Sequence, residues 1–411
     1  MTVNRGSRIA IVLLLASVAA SGAGPASRWM WNRRRAAYAA QCRAAREGRK
    51  WDELQRLAGE WSRRDPQSAD PWLFLAEASE GQRDRPATAA ALARIPDSDP
   101  RAPQALVELA KLEFGLLNRP FEGEATCQRL LRLEPRAAFA HQRLIQYYAL
   151  TLQREKLVQQ IRFAVDQKRE PPEAYVYLLL LDSLRMGNGM KFNEIWLEAH
   201  PDEEIFVVAR AIQVREPHDE QAGVTPDELD AARRASAGKL KLIESLLEKY
   251  PANLELLAYE IEHRINTGEI DRVTDLLSRA PEEAERDSRF WRFKGWVHET
   301  LDELPDAEAA YRQALQTHPL DWNAWNRLAV VYRRRQNPRE VERLATLVEK
   351  ARELRIKIRK LAAAELVTPE ILADLQDYAR KCGVDWLVEA LERRSGQVPS
   401  ELDPQSAAGR N

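Results

Sequence analysis

The residues that could do chemistry are few and scattered. Glu260 and His263 form Glu-x-x-His on one helical stretch, half of the pattern with which facing helices hold a pair of metal ions. A complete site needs a second copy and two further carboxylates, and no second copy exists, so the pair reads as an exposed polar face. His298 and Glu299 open His-Glu-Thr-Leu-Asp, which lacks the second histidine of a zinc-dependent protease. His298 is expected instead to pack against the next helix. Gly-rich phosphate loops, Gly-x-Ser-x-Gly and paired Cys-x-x-Cys do not occur in the sequence. Cys42, Cys127 and Cys382 are far apart and odd in number, which argues against a disulfide framework and reads as small buried apolar side chains. The sequence therefore assigns no catalytic residue, cofactor or metal, and reads as a non-enzyme.

The organising pattern is a spacing. From Phe290 to Tyr332 the chain carries Trp291, Gly295 and His298, then Ala307, Tyr311, Ala314 and Pro319, then Trp325, Leu328, Ala329 and Tyr332. Trp291 and Trp325 lie 34 residues apart, as do Gly295 and Ala329. Small residues at Gly295, Ala307 and Ala314 let two antiparallel helices approach closely, aromatics fill the gaps between hairpins, and Pro319 stops the second helix. This pattern resembles the tetratricopeptide repeat (TPR). The resemblance implies an all-α chain, a right-handed α-α superhelix of about eight or nine helical hairpins, that binds another protein or peptide in a concave groove lined by the first helix of each repeat. In that register Arg289, Arg292, Trp296 and Glu299 face the groove, followed by Asn323, Asn326 and Arg333. Such a floor suits a segment carrying carboxylates, through charge-assisted hydrogen bonds.

Composition agrees with stacked helices. Of 411 residues 30% are charged, glycine is scarce, and the net charge of −1 gives no global field that would steer the protein to nucleic acid. Prolines at 66, 100 and 135 punctuate the first half at spacings of 34 and 35. Residues 33–201 read as TPR-like hairpins, 202–285 as degenerate helical repeats with a loop inserted at 215–224, and 286–394 as further repeats with capping helices. Residues 395–411 read as a disordered tail. Glu353 stands where the repeat's closing proline belongs, so that helix is expected to run on to about Ala364.

Residues 1–32 form a separate segment. Arg5 and Arg8 precede the apolar run Ile9–Ala20, followed by Ser21, Gly22, Ala23, Gly24 and Pro25. This supports either a membrane anchor through residues 9–31, with Trp29 and Trp31 at the headgroup belt, or a secretory signal cut after Ala20 or Ala23. The anchor is preferred, because the basic, Trp-flanked stretch that follows is a poor start for a mature protein.

Two basic tracts invite a nucleic-acid reading: Arg333–Arg335, and Lys350, Arg352, Arg355, Lys357, Arg359 and Lys360. They lie at one end and lack a recurring base-reading pair, so they read as a solvated helix face. The sequence thus points to a membrane-tethered protein-interaction scaffold. The alternatives are a substrate-holding module of an envelope enzyme and an RNA-binding helical-repeat protein.

Overall fold

The computed structural model describes residues 25–184, 189–214 and 226–396, and these are all-α, with no strand among them. The chain forms two compact units, one ending at Leu133 and the other beginning at Glu134.

The first unit contains α1 (Pro25–Glu47), α2 (Trp51–Arg64), α3 (Ala69–Gly81), α4 (Arg85–Ala93), α5 (Ala102–Lys111) and α6 (Pro120–Leu133). In α2, Leu54, Leu57, Ala58 and Trp61 recur at helical spacing and form a core with Cys42, Ala45 and Ala78. Hairpin partners meet where one offers no side chain: a Cβ at Gly81 would lie 2.4 Å from the Trp51 ring. Pro86 occupies the first turn of α4, as its missing N–H allows. Pro100 does not end that helix. It stops at Ala93, and Arg94 and Ile95 donate back to Ala91 and Leu92. Helix α5 continues into a π-helical turn, Leu112–Leu116.

The second unit contains α7 (Ala138–Leu150), α8 (Arg154–Asp166), α9 (Glu173–Leu179), α10 (Gly189–Ala199), α11 (Glu204–Gln213) and α12 (Pro226–Lys249). It continues with α13 (Leu254–Thr267), α14 (Ile270–Ser278), α15 (Ser288–Thr300), α16 (Leu304–Thr317), α17 (Trp322–Arg334), α18 (Pro338–Arg359), α19 (Pro369–Lys381) and α20 (Asp385–Gly396). After α8 the helical stretch is short, confined to Glu173–Leu179. Helix α18 does run on where the closing proline is missing. Ala307, Tyr311, Ala314, Leu328, Ala329 and Tyr332 share one core, against which the half-buried Trp291 and Trp325 pack. A Cβ on Gly295 would meet the Tyr311 ring at 2.6 Å, so the small residue is needed for this helix pair to close.

Two backbone devices mark the repeat more faithfully than composition does. Hairpin turns place one residue in the left-handed region at Arg49, Arg83, Asn118, Leu152, Gly268, Asp302, Gln336 and Gly383. Positions 49 to 152 and 268 to 336 follow one another at 34 or 35 residues. The second device is a ring N–H that ties the start of a first helix to the preceding turn. Trp72 donates to the Pro66 carbonyl at 3.0 Å, Trp291 to Glu285 at 2.8 Å and Trp325 to Pro319 at 2.9 Å. In each the acceptor lies six residues earlier, and His141 Nε2 bonds Pro135 O at 2.8 Å in the same way.

Residues 9–24 of the proposed anchor and both signal cleavage sites lie outside the described residues, as do the 215–224 loop and the tail beyond residue 396. Ser395 and Gly396 are helical, not part of a disordered tail. Residues 25–31 belong to α1, where Trp29 and Met30 are exposed. Among the described residues no helix is long and apolar enough to cross a membrane.

Candidate functional site

The positions expected to face an open groove are largely committed to the interior of the second unit. Helices α13, α15 and α17 begin at equivalent places, each capped by a side chain: Asn253, Asp287 and Asp321, spaced by 34 residues. Two residues beyond each cap stand Glu255, Arg289 and Asn323. Arg289 is buried; it donates to Glu255 at 2.6 and 3.0 Å and to Asp287 at 2.6 Å. Glu255 also accepts from Nε and Nη2 of Arg154 in α8, at 2.8 and 2.9 Å. Arg292 is buried against Asp321 at 2.9 Å, and Asp321 also accepts from Ala324 N and Ser288 Oγ. Glu299 is buried and accepts the Tyr311 hydroxyl at 2.7 Å. Asn323 donates to Asp182, which Arg355 of α18 also binds at 2.8 Å. Trp296 is half-buried, while Asn326 and Arg333 are exposed. Arg289, Arg292 and Glu299 therefore brace the repeats against one another, a correction to the open-groove reading of these three.

The network stays charged because each buried carboxylate in it faces a guanidinium. Burial alone would raise the Glu255 and Asp287 carboxyls; the guanidinium groups of Arg154 and Arg289 overcome it, holding Glu255 below the usual range and Asp287 at about 2. Asp182 is held low in the same way by Arg355. Burial pushes His318 down, so its imidazole is neutral near pH 7.

Other sequence expectations also change. Glu260 is not on an exposed face; it is buried and accepts from Arg264 at 2.8 Å. His298 does not pack under the next helix but is half-exposed, 2.7 Å from Glu303. With Asp306 these two place three ligand-capable atoms within 4.8 Å of one another. The basic tract on α18 is not simply solvated: Lys350 and Lys357 pair with Asp374, and Arg355 is drawn inside to Asp182. Cys42 and Cys127 are buried as expected and Cys382 is half-buried; burial raises the Cys42 thiol to about 11.

The network forms one wall of a cleft of about 590 Å³ within the second unit, lined among others by Arg154, Glu204, Asn253, Glu255, Asp287 and His318. The first turns or caps of α8, α11, α13 and α15 all contribute, so four positive helix ends meet there, each with an acidic residue beside it. A second cleft of about 660 Å³ lies beside Trp325, but its Arg312 and Arg335 are both bound to Glu308 and its Arg343 to Glu340. In the first cleft two buried groups have no hydrogen-bond partner, Arg154 Nη1 and His318 Nε2. Sequence reasoning missed Arg154, Asp182, Glu255, Asp287, Asp321 and His318. The signal that finds Glu255, Asp287 and Asp321 is a capping Asn or Asp every 34 residues, with a charged or amide residue two places on; nothing comparable marks Arg154, Asp182 or His318.

Residues 288–331, which span α15, α16 and most of α17, match the tetratricopeptide repeat family. No curated protein matches the chain. Among solved structures, the chain is similar to a tetratricopeptide repeat protein from Parabacteroides merdae, at 12% identity and a TM-score of 0.30, over 64% of this chain and 99% of that one. It is also similar to a chain of the APC/C hetero-tetramer Cut9-Hcn1, at 12% identity and a TM-score of 0.33, over 88% of this chain and 72% of the other.

Proposed function

We propose that this protein is a non-enzymatic interaction scaffold whose second unit holds a segment of a partner polypeptide. The observation that carries the reading is the cleft assembled from helix starts between residues 151 and 318, part apolar and part charged, and backed by a paired ion network. Repeats of this kind bind by surface complementarity, and a preorganised floor lowers the cost of ordering a bound segment. The tetratricopeptide repeat at 288–331 supports a protein as the occupant.

The test uses a photo-crosslinking amino acid in place of Gln159, which is exposed on the cleft rim, and in place of Glu80, exposed in the first unit. A discrete adduct formed from position 159 and missing from position 80 is the expected result. Identical adducts from both positions, or none from 159, would count against the cleft.

The scaffold is, in the same proposal, tethered to a membrane through residues 9–31. The apolar run Ile9–Ala20 and the exposed Trp29 and Met30 support this. Fractionation of the C-terminally tagged protein should place it with membranes; a soluble product lacking residues 1–23 would refute the tether.

A further inference from the structure

We infer that the cleft of the second unit selects a cationic polypeptide segment, with lysine or arginine side chains meeting carboxylates at its mouth. This inference rests on the cleft being the partner site. The charges at its floor cancel, since Arg154 and Arg289 face Glu255 and Asp287 in closed pairs. On the wall Glu155 and Arg286 pair with each other at 3.5 Å. The remaining charged lining is three exposed carboxylates, Glu203, Glu204 and Glu283, against one ammonium, Lys156. Beyond the lining the same two stretches carry further exposed acids, Asp202 beside Glu203 and Glu282 and Glu285 beside Glu283.

Between these carboxylates the lining is largely apolar, with Leu152, Val158, Ile205 and Leu254. Lysine and arginine side chains lay their methylene stems on apolar surface while their charged heads reach outward, so an apolar lining under an acidic mouth suits a cationic segment. A carboxylate-bearing segment, which the groove register alone would favour, meets like charge at the mouth.

The experiment measures fluorescence anisotropy of the full chain with fluorescein-labelled (Lys-Ala)6, (Ser-Ala)6 and (Glu-Ala)6 peptides. The variants are Glu203→Gln with Glu283→Gln, and a charge-matched control, Glu47→Gln with Glu80→Gln, altering exposed acids of the first unit. The expected result is binding of the lysine peptide, weakened at least tenfold by the cleft pair and less than twofold by the control pair. Equal binding of the serine or glutamate peptide, or equal loss in both variants, overturns the cationic assignment while leaving a polypeptide occupant standing. Failure of all three peptides, with a position-specific adduct still formed from residue 159, overturns the assignment alone. Failure of the peptides and of the adduct together removes both readings.

Discussion

Both units carry exposed ion pairs, but among the described residues the pairs buried on both sides lie in the second. In the first, ion pairs such as Arg46–Glu77, Arg56–Glu60 and Lys111–Glu108 join side chains that are each more than a third exposed. In the second, Arg289–Glu255, Arg292–Asp321 and Arg355–Asp182 join side chains 11% exposed or less. The helix starts explain the difference. Helices α3 and α5 follow Ser68 and Arg101, neither of which makes a side-chain cap, whereas α13, α15 and α17 follow capping Asn253, Asp287 and Asp321. Once a capping carboxylate is buried at the joint between repeats, a neighbouring arginine must be buried with it. One polar position thereby recruits a network, and that network shapes the cleft.

The sharpest way to break this contrast is Arg289→Met. It leaves Asp287 and part of Glu255 buried without a counter-charge, which should cost about 3–5 kcal/mol. Urea denaturation followed by tryptophan fluorescence gives the value. By comparison Arg56→Ala, which removes an exposed pair, should stay near zero. A loss below about 1 kcal/mol for Arg289→Met would mean the interior pairs behave like the exterior ones. Acidification tests the same network with a defined sign. Because the Asp287 carboxyl is depressed from 3.8 to about 2, its contribution is complete above pH 3.8 and disappears as the pH falls through about 2.

The first unit holds the converse case. Glu113, in the π-helical turn after α5, is buried, and burial raises its carboxyl to about 6. The unfolded chain ionises this group near 4.5, so folding loses stability as pH rises from 4.5 through 6 and stays lower above it. Glu113→Gln lacks that loss. The stability difference should therefore move toward the variant by on the order of 2 kcal/mol between pH 4.5 and pH 7. Parallel pH profiles for the two proteins would show that Glu113 ionises freely in the fold.

Much of the scaffold was legible in the sequence, because helical packing is written in residue size. Trp291, Gly295, Tyr311 and Ala314 announce the spacing, and the structure closes Gly295 on Tyr311 as steric reasoning requires. The turns were less legible: Arg49, Arg83 and Leu152 adopt left-handed backbone without being glycine, so composition gives no sign of them. Least legible was the direction of the charged residues. Arg289 and Asn326 look alike as polar positions on first helices, and only the position of Glu255 34 residues earlier turns Arg289 inward. A periodic pattern assigns a face to a residue; whether that face meets solvent depends on partners distant in sequence, here Arg154 in α8 and Asp182 after α9.

What the units share can be tested against what separates them. Trp72 in the first and Trp325 in the second each donate an indole N–H to a carbonyl six residues earlier, anchoring a first helix to the turn before it. Trp→Phe keeps most of the ring's apolar surface and removes the donor, leaving a turn carbonyl without its partner. Each substitution should cost about 1 kcal/mol, the ordinary net worth of one hydrogen bond, and the two should agree within about 0.5 kcal/mol. Equal costs from the two urea midpoints would place the device in the repeat itself, independent of the charge network. A loss of about 3 kcal/mol for Trp325→Phe alone would mean that the ring is coupled to the buried ions through Asp321, which directly follows that turn. The hydrogen bond would then belong to the specialisation of the second unit and not to the common hairpin.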